Sequence, residues 1–510
     1  MSKDFTINTV YSFYIMKVFI VPLGFLIKML YSNTISSEMF GLLYSAIAFF
    51  TLISFFTTGG INASFEYFMG KYRATNNKNA VASLFQYNLS IKIILIVIMS
   101  SLVYLTSDII ATYYFQNENA QTILLIFLFY FIFLKLYDTL KSVFVAHQLN
   151  LYFQGARFIE MFSVLTLSAI FFLSVEQQLF FYYALAWGIG TAISLCIYIV
   201  LTIYKFPYLF KYQPFNKSLF NQYIKYAMAM FATGISRQII GKTDVFIITF
   251  FLSLSSVAYY TNALSLIATF ASLVTILSRP LMPLFAQYRE EGKINTLQTM
   301  IITLYKQVLF FLIPISLIFY LFSDIILSLI FGEEYKNAAI TLSILSLFLM
   351  IRILMTFNIA FLNGLGRALY LSKIILPIAL FNLIGNVLIV NYMGIEGVAL
   401  ITGISWTLIL AFTYKAVHEE LQLKIPYINL LKIIASISIF IVLTHILKQS
   451  FFIFNIYITG IIILTISYAT YIVLGYLLKI FTIKELYIFI PTKLQPTIKH
   501  YHQTYLKFLK

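Results

Sequence analysis

Long runs of apolar residues separated by short polar breaks dominate this chain. A helix needs about 20 mainly apolar residues to cross the hydrocarbon core of a membrane, and about fourteen runs reach that length. The runs are too long for barrel strands and lack the alternation of apolar and polar positions that a membrane barrel shows. The pattern therefore predicts an all-α integral membrane protein. The predicted spans lie near residues 8–31, 40–65, 84–107, 120–142, 156–175, 178–203, 222–252, 254–282, 300–322, 337–362, 369–390, 397–417, 429–448 and 453–480.

The composition excludes an ordinary soluble protein. Hydrophobic residues make up 61% of the chain and charged residues only 10%, whereas soluble domains carry roughly 25% charged residues. Cys196 is the only cysteine, which excludes an intrachain disulfide and a cysteine-based metal cluster. The sequence contains neither a P-loop nor the two-histidine zinc motif of metalloproteases. No cofactor, metal site or catalytic residue is therefore predicted.

The positive charges fall on alternate loops. The chain has 34 Lys and Arg against 18 Asp and Glu, a net charge of +16. If the N-terminus lies inside, the outer loops carry only Lys336 and Lys448 as cations, which fits the positive-inside rule. We therefore expect both termini on the cytoplasmic side of the inner membrane. Topology and contact with anionic lipid explain the excess charge, and no nucleic acid partner is predicted.

Two parts of the chain resemble each other at an offset of 216 residues. Ser107–Ile110 and Ser323–Ile326 both read SDII, and Tyr72–Arg73 matches Tyr288–Arg289. These matches lie in polar loops, where composition does not force agreement. The offset spans six helices, so the copies share one orientation and predict two six-helix lobes in a pseudo-two-fold relation. The expected organisation is an N-lobe at 1–203, a C-lobe at 222–417, two peripheral spans at 429–480 and a basic cytoplasmic tail at 481–510.

Ionisable residues inside the predicted spans are the candidate functional groups. Such a side chain costs roughly 2.5–3.5 kcal/mol at the centre of a span on insertion scales, so it normally faces protein or water. Span one carries Lys17 and Lys28, which return to nearly the same helix face. Span seven carries Arg237, Lys242 and Asp244. Both spans thus bring charge to the middle of the membrane.

Two further cations lie near mid-membrane, Arg352 in span ten and Lys135 in span four. Together these groups predict a cationic, water-filled cavity between the lobes that receives an anionic headgroup. Arginine suits a phosphate because its guanidinium can bind two oxygens, whereas lysine supplies a point charge. Two alternatives stay open. Lys28 could reach the outer interface instead, and Lys135 could form a structural cluster with Asp138 and Lys141.

Five segments resemble the polysaccharide-export branch of the multidrug/oligosaccharidyl-lipid/polysaccharide (MOP) superfamily, the Wzx-type flippases. Their order and spacing extend the resemblance over nearly the whole chain. It implies a MATE-like fold of fourteen helices that moves undecaprenyl-pyrophosphate-linked repeat units of O-antigen, capsule or exopolysaccharide to the outer leaflet. The segments are FGLLYSAIAFFTLISFFTTGG (Phe40–Gly60), KTDVFIITFFLSLSSVAYYTNA (Lys242–Ala263), FGEEY (Phe331–Tyr335), NGLGR (Asn363–Arg367) and YMGIEGVAL (Tyr392–Leu400).

The resemblance also implies a site and partners. The partners are the lipid-linked oligosaccharide, membrane lipids, and polysaccharide polymerase and chain-length proteins. A lipid II flippase and a multidrug antiporter of the same superfamily are the alternatives, and the antiporter would need deep carboxylates in its N-lobe. An enzyme is disfavoured, because the five histidines form no catalytic motif and the sequence offers neither a set of catalytic acids nor a large outer loop. The substrate-binding candidates are Lys17, Lys135, Arg237, Lys242 and Arg352, with Asp244 as the ion-coupling candidate.

Overall fold

The structure is a computed structural model that describes the backbone of residues 3–275, 278–423, 427–450 and 456–481. Within these ranges the chain is helical except for short connections, and no strand occurs. A helix satisfies its backbone hydrogen bonds internally, which a chain in lipid requires. Side chains are described for residues 18–149, 151–231, 243–275, 278, 281–282, 284–423, 427–447, 460 and 462–481.

Each of the fourteen predicted spans has helical counterparts in the structure. We call α1–α8 the first half, α9–α16 the second half, and α17–α18 the terminal pair. The helices are α1 (Lys3–Thr34), α2 (Ser37–Thr58), α3 (Ile61–Ala74), α4 (Lys78–Leu105), α5 (Ser107–Ile110), α6 (Ala120–Ala146), α7 (Asn150–Ser174), α8 (Leu179–Lys205), α9 (Lys217–Phe251), α10 (Leu254–Thr275), α11 (Ser278–Glu290), α12 (Ile294–Leu321), α13 (Ser323–Phe331), α14 (Ala339–Leu347), α15 (Leu349–Gly364), α16 (Ala368–Leu421), α17 (Tyr427–Ser450) and α18 (Ile456–Leu477).

Nine of the described helices are long and apolar enough to cross a membrane, and a tenth span results if α14 and α15 count as one. This number is compatible with the larger number of predicted spans for two reasons. The 54-residue helix α16 contains two of them. In α1, α9 and α18, side chains are described for only part of the helix, so these three spans are not among the nine; the described parts of α1 and α18 are the shorter apolar helices Val18–Thr34 and Ile462–Leu477. The chain is a multi-pass membrane protein.

Two breaks interrupt the long helices, one at Gly394 and one at Phe348. Helix α16 is broken at Gly394, whose φ of 54° and ψ of −143° lie outside the helical region. Glycine adopts such a positive φ without a steric penalty, so the two predicted spans on either side can change direction there. Helices α14 and α15 meet at a bend of 44°. Span ten is therefore a broken helix with Arg352 in its second part.

The helix bounds repeat at the offset seen in the sequence. Helices α4 and α12 both contain 28 residues and begin 216 positions apart. Helices α2 and α10 both contain 22 residues and begin 217 positions apart. The second part of α16 starts at Ile395 and ends at Leu421, which is 216 positions after the bounds of α8. Equal helix lengths at an offset of 216 or 217 residues are what a duplicated chain would produce.

The terminal pair packs on one helix of the second half. The Tyr471 hydroxyl of α18 donates to the Phe310 carbonyl of α12 at 2.8 Å, and the two rings stack at 4.5 Å. Phe440 of α17 contacts Tyr471 at 5.9 Å between ring centroids. These residues form a separate hydrophobic cluster, distinct from the two larger clusters of the structure. Helices α17 and α18 thus attach through α12 alone among the strong contacts of the described residues.

Candidate functional site

A cavity of about 390 Å³ lies between helices of the two halves. Helices α1 and α2 form one wall, and α9 and α10 form the other. Gly24 leaves the wall open, because a Cβ built there would meet no atom within 4 Å. The cavity therefore sits at the junction of the halves, where the sequence predicted a site. It is lined by Val21, Gly24, Phe25, Lys28, Tyr44, Ile47, Ala48, Val245, Thr261, Leu264, Ser265, Ala268, Thr269 and Ser272.

Lys28 is the charged residue among those that line the cavity. Its Nζ donates a hydrogen bond to the Thr261 carbonyl of α10 at 3.0 Å. The same ammonium lies 4.7 Å from the centroid of the Tyr44 ring of α2. Lys28 thus reaches from the first half across the junction to the second half. Sequence reasoning left it out of the site, although it shares a face with Gly24 and Lys17.

The halves touch on one side of the cavity through the first turns of α2 and α10. The Ser37 hydroxyl is 3.0 Å from that of Ser255 and also hydrogen-bonds the Glu334 carboxylate. The Glu334 carboxylate accepts in addition from the Tyr259 hydroxyl at 3.4 Å. The helices approach so closely that a Cβ on Gly41 would lie 1.8 Å from the Leu254 carbonyl oxygen. This contact therefore depends on polar groups and on one glycine.

On the other side of the cavity, α3 contacts the first turns of α9. The Ser64 hydroxyl donates to the Tyr223 carbonyl at 2.7 Å, and the Tyr223 hydroxyl donates to the Ile61 carbonyl at 3.2 Å. Gly60 has a φ of 76°, and a Cβ there would lie 1.9 Å from the Ala227 carbonyl oxygen. The beginning of α9 therefore packs in a cluster of first-half residues, whereas Val245, Ile247 and Ile248 belong to a larger cluster that contains residues of both halves.

Asp244 is buried in the second half among hydrogen-bond donors. Its Oδ2 accepts from the Tyr260 hydroxyl at 2.6 Å and from the Thr402 hydroxyl at 3.0 Å. Its Oδ1 accepts from the Asn386 side-chain amide at 2.9 Å. Asn382 extends the network, because its amide donates to Thr402 at 3.3 Å. These contacts join α9, α10 and both parts of α16 around one carboxylate.

Arg352 belongs to the same region of the second half. Its guanidinium lies 4.8 Å from the centroid of the Trp406 ring and interacts electrostatically with Asp244 and Tyr260. Its Nη1 is buried with no hydrogen-bond partner among the described residues. A buried guanidinium nitrogen without a partner is costly, so it marks a position where an acceptor is missing. Arg352 is absent from the lining of the 390 Å³ cavity.

Lys135 lies in the interior of the first half. Its Nζ is 3.1 Å from Asp138 Oδ2, and Lys141 Nζ is 2.7 Å from Asp138 Oδ1. Lys92 of α4 is fully buried beside this group, and its Nζ has no hydrogen-bond partner among the described residues. Glu66 of α3 completes the cluster electrostatically. The structure thus contains the Lys135 cluster that the sequence had suggested, and adds two charges to it.

The structure brings together some predicted site residues and separates others. Asp244 and Arg352 share the network of the second half, while Lys135 lies in the first half. The side chains of Lys17, Arg237 and Lys242 lie outside those that the structure describes. Their backbones belong to α1 and α9, the helices that contribute to the cavity. Among the described residues, no group of three or more His, Cys, Asp or Glu could hold a metal.

Comparison with known proteins gives a family, a relative and related folds. A family model described as polysaccharide biosynthesis protein matches residues 8–289, more than half of the chain. A membrane protein of Methanocaldococcus jannaschii, described as uncharacterized, is 25% identical over 464 residues, which cover 86% of this chain and 92% of that protein.

Two solved structures share the fold. The lipid II flippase MurJ in an inward closed conformation matches with a TM-score of 0.73 at 17% identity, over 91% of this chain and 98% of that chain. An inward-facing multidrug resistance MATE family transporter of the MOP superfamily matches with a TM-score of 0.67 at 12% identity, over 78% of this chain and 94% of that chain. At these identities the similarity shows the fold, and it confirms the predicted MATE-like helical architecture.

Proposed function

The chain belongs to the family of polysaccharide biosynthesis proteins, and on this premise we propose that it is a flippase for oligosaccharide repeat units linked to undecaprenyl pyrophosphate. The units would serve O-antigen, capsule or exopolysaccharide synthesis. They would cross the inner membrane from the cytoplasmic to the outer leaflet by alternating access of an N-lobe (1–203) and a C-lobe (222–417). Residues 429–480 would stay peripheral to this path, and both termini and the tail at 481–510 would be cytoplasmic.

The observation that carries the proposal is the ammonium of Lys28 in the cavity between the halves. A cation within a membrane span is costly and normally faces protein or a water-filled cavity, so it is a functional candidate. A diphosphate offers oxygens that accept charge-assisted hydrogen bonds from such a group. In this conformation Lys28 donates to the Thr261 carbonyl instead. We propose that the substrate diphosphate replaces that carbonyl as the acceptor.

Alternating access requires the contacts on either side of the cavity to open in turn. Ser37, Ser255 and Glu334 would separate in one state, and Ser64 and Tyr223 in the other. Lys17, Arg237 and Lys242 belong to helices that line the cavity, so we keep them as substrate-binding candidates. Lys135 and Arg352 stay in the proposal only for states in which the Asp138 pair and the contact with Trp406 are broken.

Replacement of Lys28 tests the proposal. Lys28→Met keeps the length of the side chain but removes its charge, and Lys28→Arg is the matched control. We expect the flipping of a diphosphate-linked oligosaccharide lipid in vesicles to fall about tenfold or more with methionine, because a hydrogen bond to a charged group contributes about 1.5–3 kcal/mol. Arginine should retain most of the activity. Equal rates for wild type and Lys28→Met, at equal protein abundance, would contradict the cationic cavity.

The same assay separates the related functions. Lipid II shares the diphosphate but carries a different saccharide, and a cationic drug has no diphosphate. Transport of lipid II alone would make the protein a peptidoglycan precursor flippase, and transport of the drug alone would make it an antiporter. We expect the oligosaccharide lipid to be the substrate. Polysaccharide polymerase and chain-length proteins are the partners that would use the product.

Asp244 is the candidate for ion coupling. Its carboxylate is buried within the membrane and surrounded by hydroxyl and amide groups, a setting in which an ionisable residue is a functional candidate. We propose that it exchanges a proton or a small cation during the cycle. Asp244→Asn preserves the size of the side chain and should make the flipping rate independent of the ion gradient. A rate that still responds to the gradient in this variant would exclude Asp244.

A further inference from the structure

A basic rim without acids lies at the ends of the first-half helices and extends along the connecting segment to Lys217, the first residue of α9; we call it the rim of the first half. We define the rim as Lys71, Arg73, Lys78, Lys205, Lys211 and Lys217. The surrounding segments, residues 70–80 and 204–217, contain no Asp or Glu. Among the described residues, no ion pair involves any member of the rim. Among the described residues, the positive charge of this surface is therefore not balanced by ion pairs.

The corresponding surface of the second half is different. Arg289 and Arg367 both form ion pairs with Glu420, the first at 3.1 Å. Lys293 pairs with Glu291 at 2.6 Å. A bias of loop charge for topology would act on both halves alike. Among the described residues, acids balance part of the basic surface of the second half but none of the rim, which therefore points to a negatively charged partner at the rim.

The segment that joins the halves holds part of the rim in a defined place. The side-chain amide of Gln86 on α4 donates to the Lys211 carbonyl at 2.7 Å. The Asn216 backbone amide donates to the Tyr87 hydroxyl at 2.7 Å. Leu209 is fully buried in the core of the first half. Lys205, Lys211 and Lys217 are thus presented on a docked segment.

The same segment exposes large aromatic side chains beside its lysines. Tyr204 is 83% exposed, Tyr212 86% and Phe215 63%. Aromatic rings next to lysines are typical of the interface between lipid headgroups and water. A surface in contact with bulk water alone would leave this apolar area unpaired. The pattern therefore favours a lipid surface over a soluble acidic protein.

We propose that the basic rim of the first half binds the phosphate groups of anionic lipids in the adjacent leaflet. The lysines would contact the phosphates, and the aromatic side chains would lie among the headgroups and upper acyl chains. This anchors the segment between the halves, which must accommodate any movement of one half against the other. The inference rests on the membrane orientation given under the proposed function, in which the rim faces the anionic cytoplasmic leaflet.

Lipid retention by the purified full-length protein tests the inference. Native mass spectrometry compares phosphatidylglycerol with phosphatidylcholine on wild type and on the triple variant Lys205→Gln, Lys211→Gln, Lys217→Gln. Each basic residue near an anionic surface contributes about fivefold in affinity, so we expect a roughly hundredfold loss of phosphatidylglycerol binding in the triple variant. Phosphatidylcholine binding should stay unchanged. The triple Lys→Arg variant at the same positions should retain phosphatidylglycerol.

The matched control is on the second half. The triple variant Lys293→Gln, Lys373→Gln, Lys415→Gln removes equal charge from exposed positions there. An equal loss in both variants would overturn the inference, because net charge alone would then explain it. Unchanged lipid retention in the variant Lys205→Gln, Lys211→Gln, Lys217→Gln would also overturn the inference. This includes the outcome in which that variant keeps its lipid but loses a bound acidic protein. Lipid retention needs no transport, so a failed flipping assay would refute the proposed function and leave this result standing.

Discussion

The two halves have matching helices but different interiors. Lys92 and Val308 both follow the first residue of their helix by fourteen positions, in α4 and α12 respectively. Lys92 is a fully buried ammonium, whereas Val308 belongs to an apolar core. The buried carboxylate of the second half, Asp244, has three hydrogen-bond donors. The two halves therefore share a pattern of helix lengths. They differ in the charged groups that they bury.

The largest expected effect comes from placing the buried charge of the first half at the matching position of the second half. Val308→Lys places an ammonium in the second half, at a buried position of a hydrophobic cluster. We expect a loss of about 3–5 kcal/mol in the free energy of unfolding, the penalty of an uncompensated buried charge. Reversible unfolding in mixed micelles measures it, with Val308→Leu as the control for size. A loss below about 1 kcal/mol would show that both interiors accept charge.

Removal of the carboxylate in the second half should have the next largest effect. Asp244→Ala leaves the hydroxyls of Tyr260 and Thr402 and the amide of Asn386 without their acceptor. Each buried donor left unpaired costs about 1–3 kcal/mol, and partial rearrangement limits the total to roughly 2–4 kcal/mol. The same unfolding measurement applies, and Asp244→Asn should lose less because its oxygen still accepts. Equal losses in both variants would argue for the charge rather than the hydrogen bonds.

Removal of the buried Lys92 ammonium in the first half should stabilise the protein. Lys92→Met leaves Glu66, Asp138, Lys135 and Lys141, whose formal charges sum to zero. Because Lys92 Nζ has no hydrogen-bond partner among the described residues, its burial is not compensated there. We expect a gain of about 1–2 kcal/mol in unfolding free energy. A clear loss of stability would show that Lys92 is needed to balance the carboxylates of Glu66 and Asp138.

The smallest expected effect concerns pH and His147, which follows α6 outside the span. Its Nε2 is 3.0 Å from the Tyr208 hydroxyl. Burial lowers the pKa of His147 below its usual 6.5, and the charge of Arg73 lowers it further, against the hydrogen bond to the Val143 carbonyl. When the pKa of a histidine is lower in the folded than in the unfolded protein, the folded state is favoured at pH values above the unfolded pKa. This stability is lost as the pH falls through the folded pKa.

The melting temperature of wild type should therefore fall between about pH 7 and pH 5 more than that of His147→Gln, with a difference worth less than about 1 kcal/mol. The second half has no histidine at the matching position, since Asn363 lies there at the offset of 216. A pH response that is equal in wild type and His147→Gln would assign it to other groups. Such a result would remove this difference between the halves.

Much of the fold was predictable, because span length is a local property of the sequence. The break between the spans 369–390 and 397–417 coincides with Gly394. The bend at Phe348 was not predicted, because residues 337–362 are apolar without interruption by proline or glycine. The sequence predicted a cationic site between the halves but did not identify Lys28 as a member of it. Lys28 shares a helix face with Lys17. Its place in the cavity lining depends on how α10 packs beside α1, which the sequence does not show.

The sequence by itself determined that the chain is helical, how many apolar segments it has, and that two parts repeat. These follow from the length of apolar runs and from matches in polar loops, which depend on neighbours along the chain. The tertiary structure decided which charges meet. Lys28 contacts Thr261 across 233 positions, and Thr402 reaches Asp244 across 158. Such contacts depend on how helices rotate and pack against each other, and no local pattern encodes that choice.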